Sequence, residues 1–219
     1  MFHIGLRSCE LSKMKVIAGL GNPGNEYVQT PHNAGFDAID FLCNSTGCSL
    51  NKEKRFKAEV GKTTIGTEQV LLVKPQTYMN LSGEALSAIL NYYKLKATDL
   101  IVLCDDVNLP PARLRLRAEG SHGGHNGLRS IIEQLGAANF TRVRIGVGRG
   151  EHQNGELIGH VLGKYSKERA ELMAEACQRA AKAAARVVEA GVTTAMNEFN
   201  AAPVQKQDSE AKEISKIKE

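Results

Sequence analysis

Between Gly19 and Gly35 the chain reads GLGNPGNEYVQTPHNAG, which sets Asn22 and His32 between two apolar segments. Three further stretches carry comparable chemistry: Asn80 at the end of KPQTYMN, Asp105-Asp106 after the apolar run LIVLC, and His122, His125 and Asn126 within GSHGGHNG. A histidine unprotonated near neutral pH can act as a general base. A carboxylate such as Asp105, bonded to its other ring nitrogen, would fix the tautomer and stabilise the imidazolium formed on proton uptake. No serine or cysteine stands out beside His32 as a nucleophile, so a bound water is the natural attacker. Asparagine amides can donate to an oxyanion or bridge a substrate carbonyl without adding charge. Singly, each residue has a plain structural role: His32 as a cap or surface histidine, Asn22 and Asn80 as turn residues, Asp105 as a cap and Asp106 as a solvated neighbour. Their joint appearance points to a hydrolytic site.

Such a site requires the four stretches to meet, and the intervening elements are of the kind that would bring them together. Lys15 to Ala18 (KVIA) reads as a short buried strand, with Gly19, Gly21 and Gly24 turning the backbone at its carboxyl end. Thr30 can cap a following helix and Pro31 suits its first turn, while Phe36, Ile39, Leu42 and Cys43 recur at helical spacing to about residue 46. Phe56 to Thr64 and Gln69 to Val73 read as a hairpin turning at Gly66, and a helix follows Asn80 through Ala85, Leu86, Ile89, Leu90 and Tyr93. Leu100 to Cys104 suits a strand buried on both faces. Arg113, Arg115 and Arg117 alternate on one face of the next strand, as do Arg142 and Arg144 in TRVRIGV; the bland reading is the wet face of an edge strand. Asn126 is placed to cap a helix through Leu128, Ile131, Ile132 and Leu135, and an Ala-rich helix spans about Glu168 to Glu189, with a further turn or two over Val192 to Phe199. The alternation predicts an α/β fold: a single domain with a mixed, partly parallel twisted sheet and helices on both faces, whose strand carboxyl ends form the ligand crevice.

The 219 residues, 42% of them hydrophobic, suffice for a full core, and a net charge of +4 permits nucleic-acid binding without demanding it. Gly19-x-Gly21-x-x-Gly24 matches a dinucleotide-binding fingerprint, but Asn25 to Pro31 lacks the helical period it needs and Asp37 and Asp40 fall inside a helix rather than after a second strand. A nicotinamide-dependent oxidoreductase rests on those glycines alone. His122-x-x-His125 lacks an obvious third metal ligand. The five cysteines show no CxxC spacing, which fits reduced thiols in a cytoplasmic protein. No stretch has the ~20 apolar residues of a membrane span. Residues 1–13 resemble no secretory signal and read as a dispensable leader before Met14. Residues 14–200 form the expected domain, and 201–219, with Lys206, Lys212, Lys216 and Lys218 among four acidic residues, read as a flexible charged tail.

As a set the motifs resemble those of the bacterial-type peptidyl-tRNA hydrolases: GLGNPGNEYVQTPHNAG at 19–35, KPQTYMNLSG at 74–83, CDDVNLPP at 104–111, GSHGGHNGLRSI at 120–131 and RVRIGVGRG at 142–150, in family order from about Lys15 to about Asn200. The resemblance implies a monomeric α/β enzyme that hydrolyses the ester between a peptide's C-terminus and the 3′ ribose of tRNA, with no metal or organic cofactor. It implies His32 as base, Asp105 as its orienting carboxylate and Asn22 as holder of substrate or water. Asn80 and Asn126 would bind the peptide backbone and tRNA end, with Tyr27 and Met79 lining the crevice. Arg115, Arg117 and Arg144 would meet tRNA phosphates. Two positions depart from the family pattern: Asn108, where an acidic residue is frequent, and Pro31, where arginine is common. A catalytically silent RNA-binding protein of this fold would keep the arginines but would not need His32 or Asp105.

Overall fold

In a computed structural model the described residues are 14–149 and 161–201; the expected leader at residues 1–13, residues 150–160 and all but Ala201 of the expected tail lie outside them. Seven strands form one mixed sheet in the order β2-β3-β4-β1-β5-β7-β6. Its centre is parallel. β1 (Lys15–Gly19) runs beside β4 (Glu68–Pro75) on one side and β5 (Leu100–Asp106) on the other, and β5 runs beside β7 (Thr141–Gly146). The edges are antiparallel: β2 (Asn51–Glu53) and β3 (Ala58–Ile65) extend one side from β4, and β6 (Leu114–Arg117) closes the other against β7.

Helices cover both faces. On one, α1 (Ala34–Thr46), α4 (Lys167–Ala190) and α5 (Val192–Phe199) pack over Ile17, Leu72, Leu103 and Val143. On the other, α2 (Ser82–Tyr93) and α3 (Asn126–Leu135) pack over Ala18, Val73 and Val102. The apolar run that predicted a central strand is accordingly buried throughout, and β5 continues through Asp105 and Asp106. Cys43, Cys48, Cys104 and Cys177 are free thiols. Among the described residues no helix is long and apolar enough to cross a membrane.

Two glycines set the seat of α1. A Cβ at Gly19 would lie 2.1 Å from the Gly35 carbonyl oxygen, and one at Gly35 would lie 2.4 Å from the Leu103 oxygen. Only residues without side chains let the start of α1 rest directly on the ends of β1 and β5. That contact brings the turn before α1 to the carboxyl end of β5.

The structure alters four local expectations. Thr30 does not cap: it is fully buried and its hydroxyl donates to the Tyr27 carbonyl at 2.7 Å, while Pro31–Asn33 forms a 3₁₀ turn ahead of α1. Phe56 lies in a 3₁₀ turn, Lys54–Phe56, so β3 begins at Ala58. Asn126 is the first residue of α3 and the cap is His125, whose Nδ1 accepts from the Gly127 and Leu128 amides. Asp106 is buried, not solvated, and pairs with Arg144.

Candidate active site

The carboxyl ends of β1 and β5 open into a cleft of about 1010 Å³. Its walls include Asn22 after β1, His32 from the turn before α1, Met79 and Asn80 before α2, Asp105 at the end of β5, and His122 to Asn126 before α3. Arg117 and Arg144 lie on the same wall system, joined by Arg142 and Arg149. Tyr27 and Arg115 are not part of the lining: Tyr27 is half-buried in the 3₁₀ turn Asn25–Tyr27, and Arg115 sits on β6 opposite Arg144.

At the floor, Asp105 is 3% exposed and its Oδ1 accepts from two imidazoles, His32 Nδ1 at 2.9 Å and His125 Nε2 at 3.0 Å. Burial alone would raise the Asp105 carboxyl. The charges and hydrogen bonds of His125 and His32 outweigh it and hold the group well below the usual carboxylate range. An ionised acceptor toward Nδ1 places the His32 proton on that nitrogen and leaves Nε2 with its lone pair on the cleft side. The tautomer of His125 is fixed as well, because its Nδ1 accepts from Gly127 N at 3.1 Å and Leu128 N at 3.3 Å and so cannot carry the proton.

Asn22 is held from three sides. Asn33 Oδ1 accepts from its amide at 2.8 Å, Asn33 Nδ2 donates to its carbonyl at 3.1 Å, and its own Oδ1 accepts from Met79 N at 2.8 Å. Because the oxygen must face a backbone N–H, Nδ2 is the group left to the cleft. Met79 is 4% exposed, a buried post between the loops rather than an open surface. Asn80 and Asn126 are exposed at the rim. The arrangement supplies a base, its orienting anion and a positioned amide donor, which together suit attack by water on an acyl carbon.

His32, Asp105 and His125 are also the one group among the described residues with three ligand-type atoms, all within 4.8 Å of one another. Two ring nitrogens there bond to one carboxylate oxygen, so protons occupy the directions a cation would need. His122 is separate, its Nδ1 accepting from Gly124 N at 3.1 Å, so the His122-x-x-His125 spacing does not make a ligand pair.

Sequence reasoning placed His125 in the His122–Asn126 run and in an HxxH spacing, and Arg142 on an alternating strand face, but it gave neither of these residues, nor Asn33 or Arg149, its own role in the site. Arg142 is 2% exposed, donates from Nη2 to Gly120 O at 2.5 Å and Ala138 O at 3.2 Å, and lies 4.2 Å from the Phe140 ring centre. The HxxH spacing drew attention to His125 for metal chemistry, whereas its partner is a carboxylate 20 residues upstream.

The model of the family described as Peptidyl-tRNA hydrolase matches residues 16–209. A peptidyl-tRNA hydrolase of Desulforamulus reducens is 50% identical over 187 residues, covering 85% of this chain and 89% of the relative. One from Caldanaerobacter subterraneus is 47% identical, covering 85% of this chain and 100% of the relative. The crystal structure of peptidyl-tRNA hydrolase from Acinetobacter baumannii superposes with a TM-score of 0.81 at 37% identity, covering 87% of this chain and 96% of that one. With nearly the whole described domain matched in sequence and in fold, the chain belongs to the peptidyl-tRNA hydrolase family.

Proposed function

We propose that this protein hydrolyses the ester joining a peptide's C-terminus to the 3′ ribose of peptidyl-tRNA, and so returns tRNA from stalled translation. The observation that carries the reading is the His32–Asp105 contact of 2.9 Å at the floor of the cleft. His32 Nε2 takes a proton from water as the water oxygen attacks the ester carbon. Asp105 stabilises the imidazolium that forms, and Asn22 Nδ2 donates to the developing oxyanion. Collapse of the tetrahedral species expels the ribose 3′ oxygen, which recovers the proton from His32. Asn80 and Asn126, exposed at the rim, would hold the peptide backbone and the tRNA end. Arginines suit phosphates through their fork of donors, the role proposed for Arg115, Arg117 and Arg144. No step calls on a metal or organic cofactor, and the reading carries with it a cytoplasmic monomer.

The test is release of an N-blocked amino acid from its tRNA ester with chelator present, against aminoacyl-tRNA with a free amine as control. Hydrolysis confined to the blocked substrate, and reduced by about 10²- to 10⁴-fold in His32→Ala, is the expected result for loss of a general base. Unchanged activity in the variant moves the base elsewhere. Binding of tRNA by an intact protein that hydrolyses nothing makes it a silent RNA-binding protein.

A further inference from the structure

The arginines of the cleft are not equivalent in charge. Arg144 is tied by Nη2 to the buried Asp106 carboxylate, so its positive charge is already matched within the protein. Arg142 is buried and spends its Nη2 on two backbone carbonyls. Arg149 differs from both. It is exposed, it lines the cleft, and its Nη2 donates at 2.6 Å to the side-chain oxygen of Asn108. That partner orients the guanidinium without neutralising it. Among the described residues no carboxylate forms an ion pair with Arg149 or with Arg117.

We infer that Arg149, oriented by Asn108, is a tRNA phosphate contact of this protein, and that it adds to Arg117 a second cleft arginine with no ion-paired carboxylate among the described residues. The inference rests on the function proposed above. A guanidinium fixed through one nitrogen keeps its remaining donors for a phosphate, and pre-orientation lowers the entropy lost on binding. The residue at position 108 decides whether the Arg149 charge stays free. With aspartate there, Arg149 would be held in the same place but neutralised, as Asp106 does to Arg144. A neutral amide at this site therefore turns a structural ion pair into a ligand-binding cation. Glu119 and Asp106 also face the cleft, so each unmatched arginine weighs heavily in its local potential.

The experiment uses the full-length protein and deacylated tRNA, with binding followed by fluorescence anisotropy across a range of KCl concentrations. Each phosphate contact contributes about 0.9 to the slope of log K against log salt for duplex and about 0.7 for single strands. Arg149→Gln should lower the slope by about that amount. Asn108→Asp should weaken binding in the same direction although Arg149 is still present, and adding Arg149→Gln to it should cause little further loss. Lys52→Gln, the same change in net charge on the far edge strand β2, should leave the slope intact. An unchanged slope in Arg149→Gln, unaltered binding in Asn108→Asp, or an equal drop in Lys52→Gln would each overturn the inference. An intact protein that neither binds tRNA nor hydrolyses the blocked ester would instead overturn the function beneath it.

Discussion

Asn22 shows how far one residue's role can be derived from its bonds. Its oxygen serves the Met79 amide and its backbone is clasped by Asn33, so the side chain cannot turn over without leaving a buried N–H unpaired. Asn22→Asp keeps that oxygen and the shape, but exchanges the donor aimed at the oxyanion for a carboxylate oxygen. We expect a folded protein with turnover of blocked aminoacyl-tRNA reduced by about 10²- to 10³-fold, the loss typical of one oxyanion donor. A variant within a few-fold of the intact protein would show that Asn22 does not face the developing charge. The inventory at this scale was legible in the sequence, because His32, Asn22 and Asn80 stand in turns after strands and Asp105 at the end of an apolar strand, where side chains of this kind have little structural reason to gather. What the sequence hid were partnerships. Nothing in its spacing says that His125 and His32 share one oxygen of Asp105, since residues 32, 105 and 125 meet only through the fold. Arg142 and Arg144 alternate identically in the sequence and both line the cleft, yet one is 2% exposed and the other only half-buried, the first being tied to the Gly120 carbonyl.

At the scale of elements, the strands and helices with an apolar period were legible because burial imposes the period, as in β5 and α2. β2 was not: Asn51, Lys52 and Glu53 form an edge strand held by backbone bonds to β3, with no apolar face to announce it. α1 was legible from its apolar stripe, while the electrostatic strain it carries was not. Burial, then the adjacent Asp40 carboxylate, pushes Asp37 up to about 6, against the pull of Lys74. Asp37 lies in the first turn of α1, where the helix dipole favours a negative charge, so burial is the stronger effect. A carboxyl raised in the folded state binds its proton more tightly there than in the unfolded chain. Between its ordinary 3.8 and about 6, stability therefore falls as pH rises; the full penalty applies above 6 and none below 3.8. Asp37→Asn should stabilise the protein at pH 7 by on the order of 1 kcal/mol, or a few degrees in melting temperature, and the gain should fade towards pH 3.5. Thermal melts at the two pH values decide it: an equal gain at both would assign the effect to packing instead of charge.

Across the whole molecule, the two faces of the sheet are finished differently, and the difference follows from the register of its last two strands. On one face Leu114 and Leu116 of β6 stand opposite Ile145 and Val143 of β7 and are buried with α4 and α5. The alternate positions put Arg115 opposite Arg144 and Arg117 opposite Arg142 on the other face. Like charges directly opposed across a strand pair are destabilising, by roughly 0.2–1 kcal/mol for a pair. Asp106 relieves the first pair through Arg144, whereas Arg117 and Arg142 face each other with no carboxylate in a described ion pair, and the nearby Glu119 charge acts in favour of the Arg142 cation. A sheet edge selected for stability alone would not retain this opposition, and a surface that must meet a polyanion has reason to. Salt is the simplest probe, because raising ionic strength from about 0.01 M to about 0.15 M shortens the screening length from about 30 Å to about 8 Å. The melting temperature should rise by a degree or two over that range, and the rise should shrink in Arg117→Gln, where an amide faces Arg142. A melting temperature that is flat with salt, or that rises equally in the variant, would mean that the opposed arginines are already screened by solvent and exert no strain on the fold.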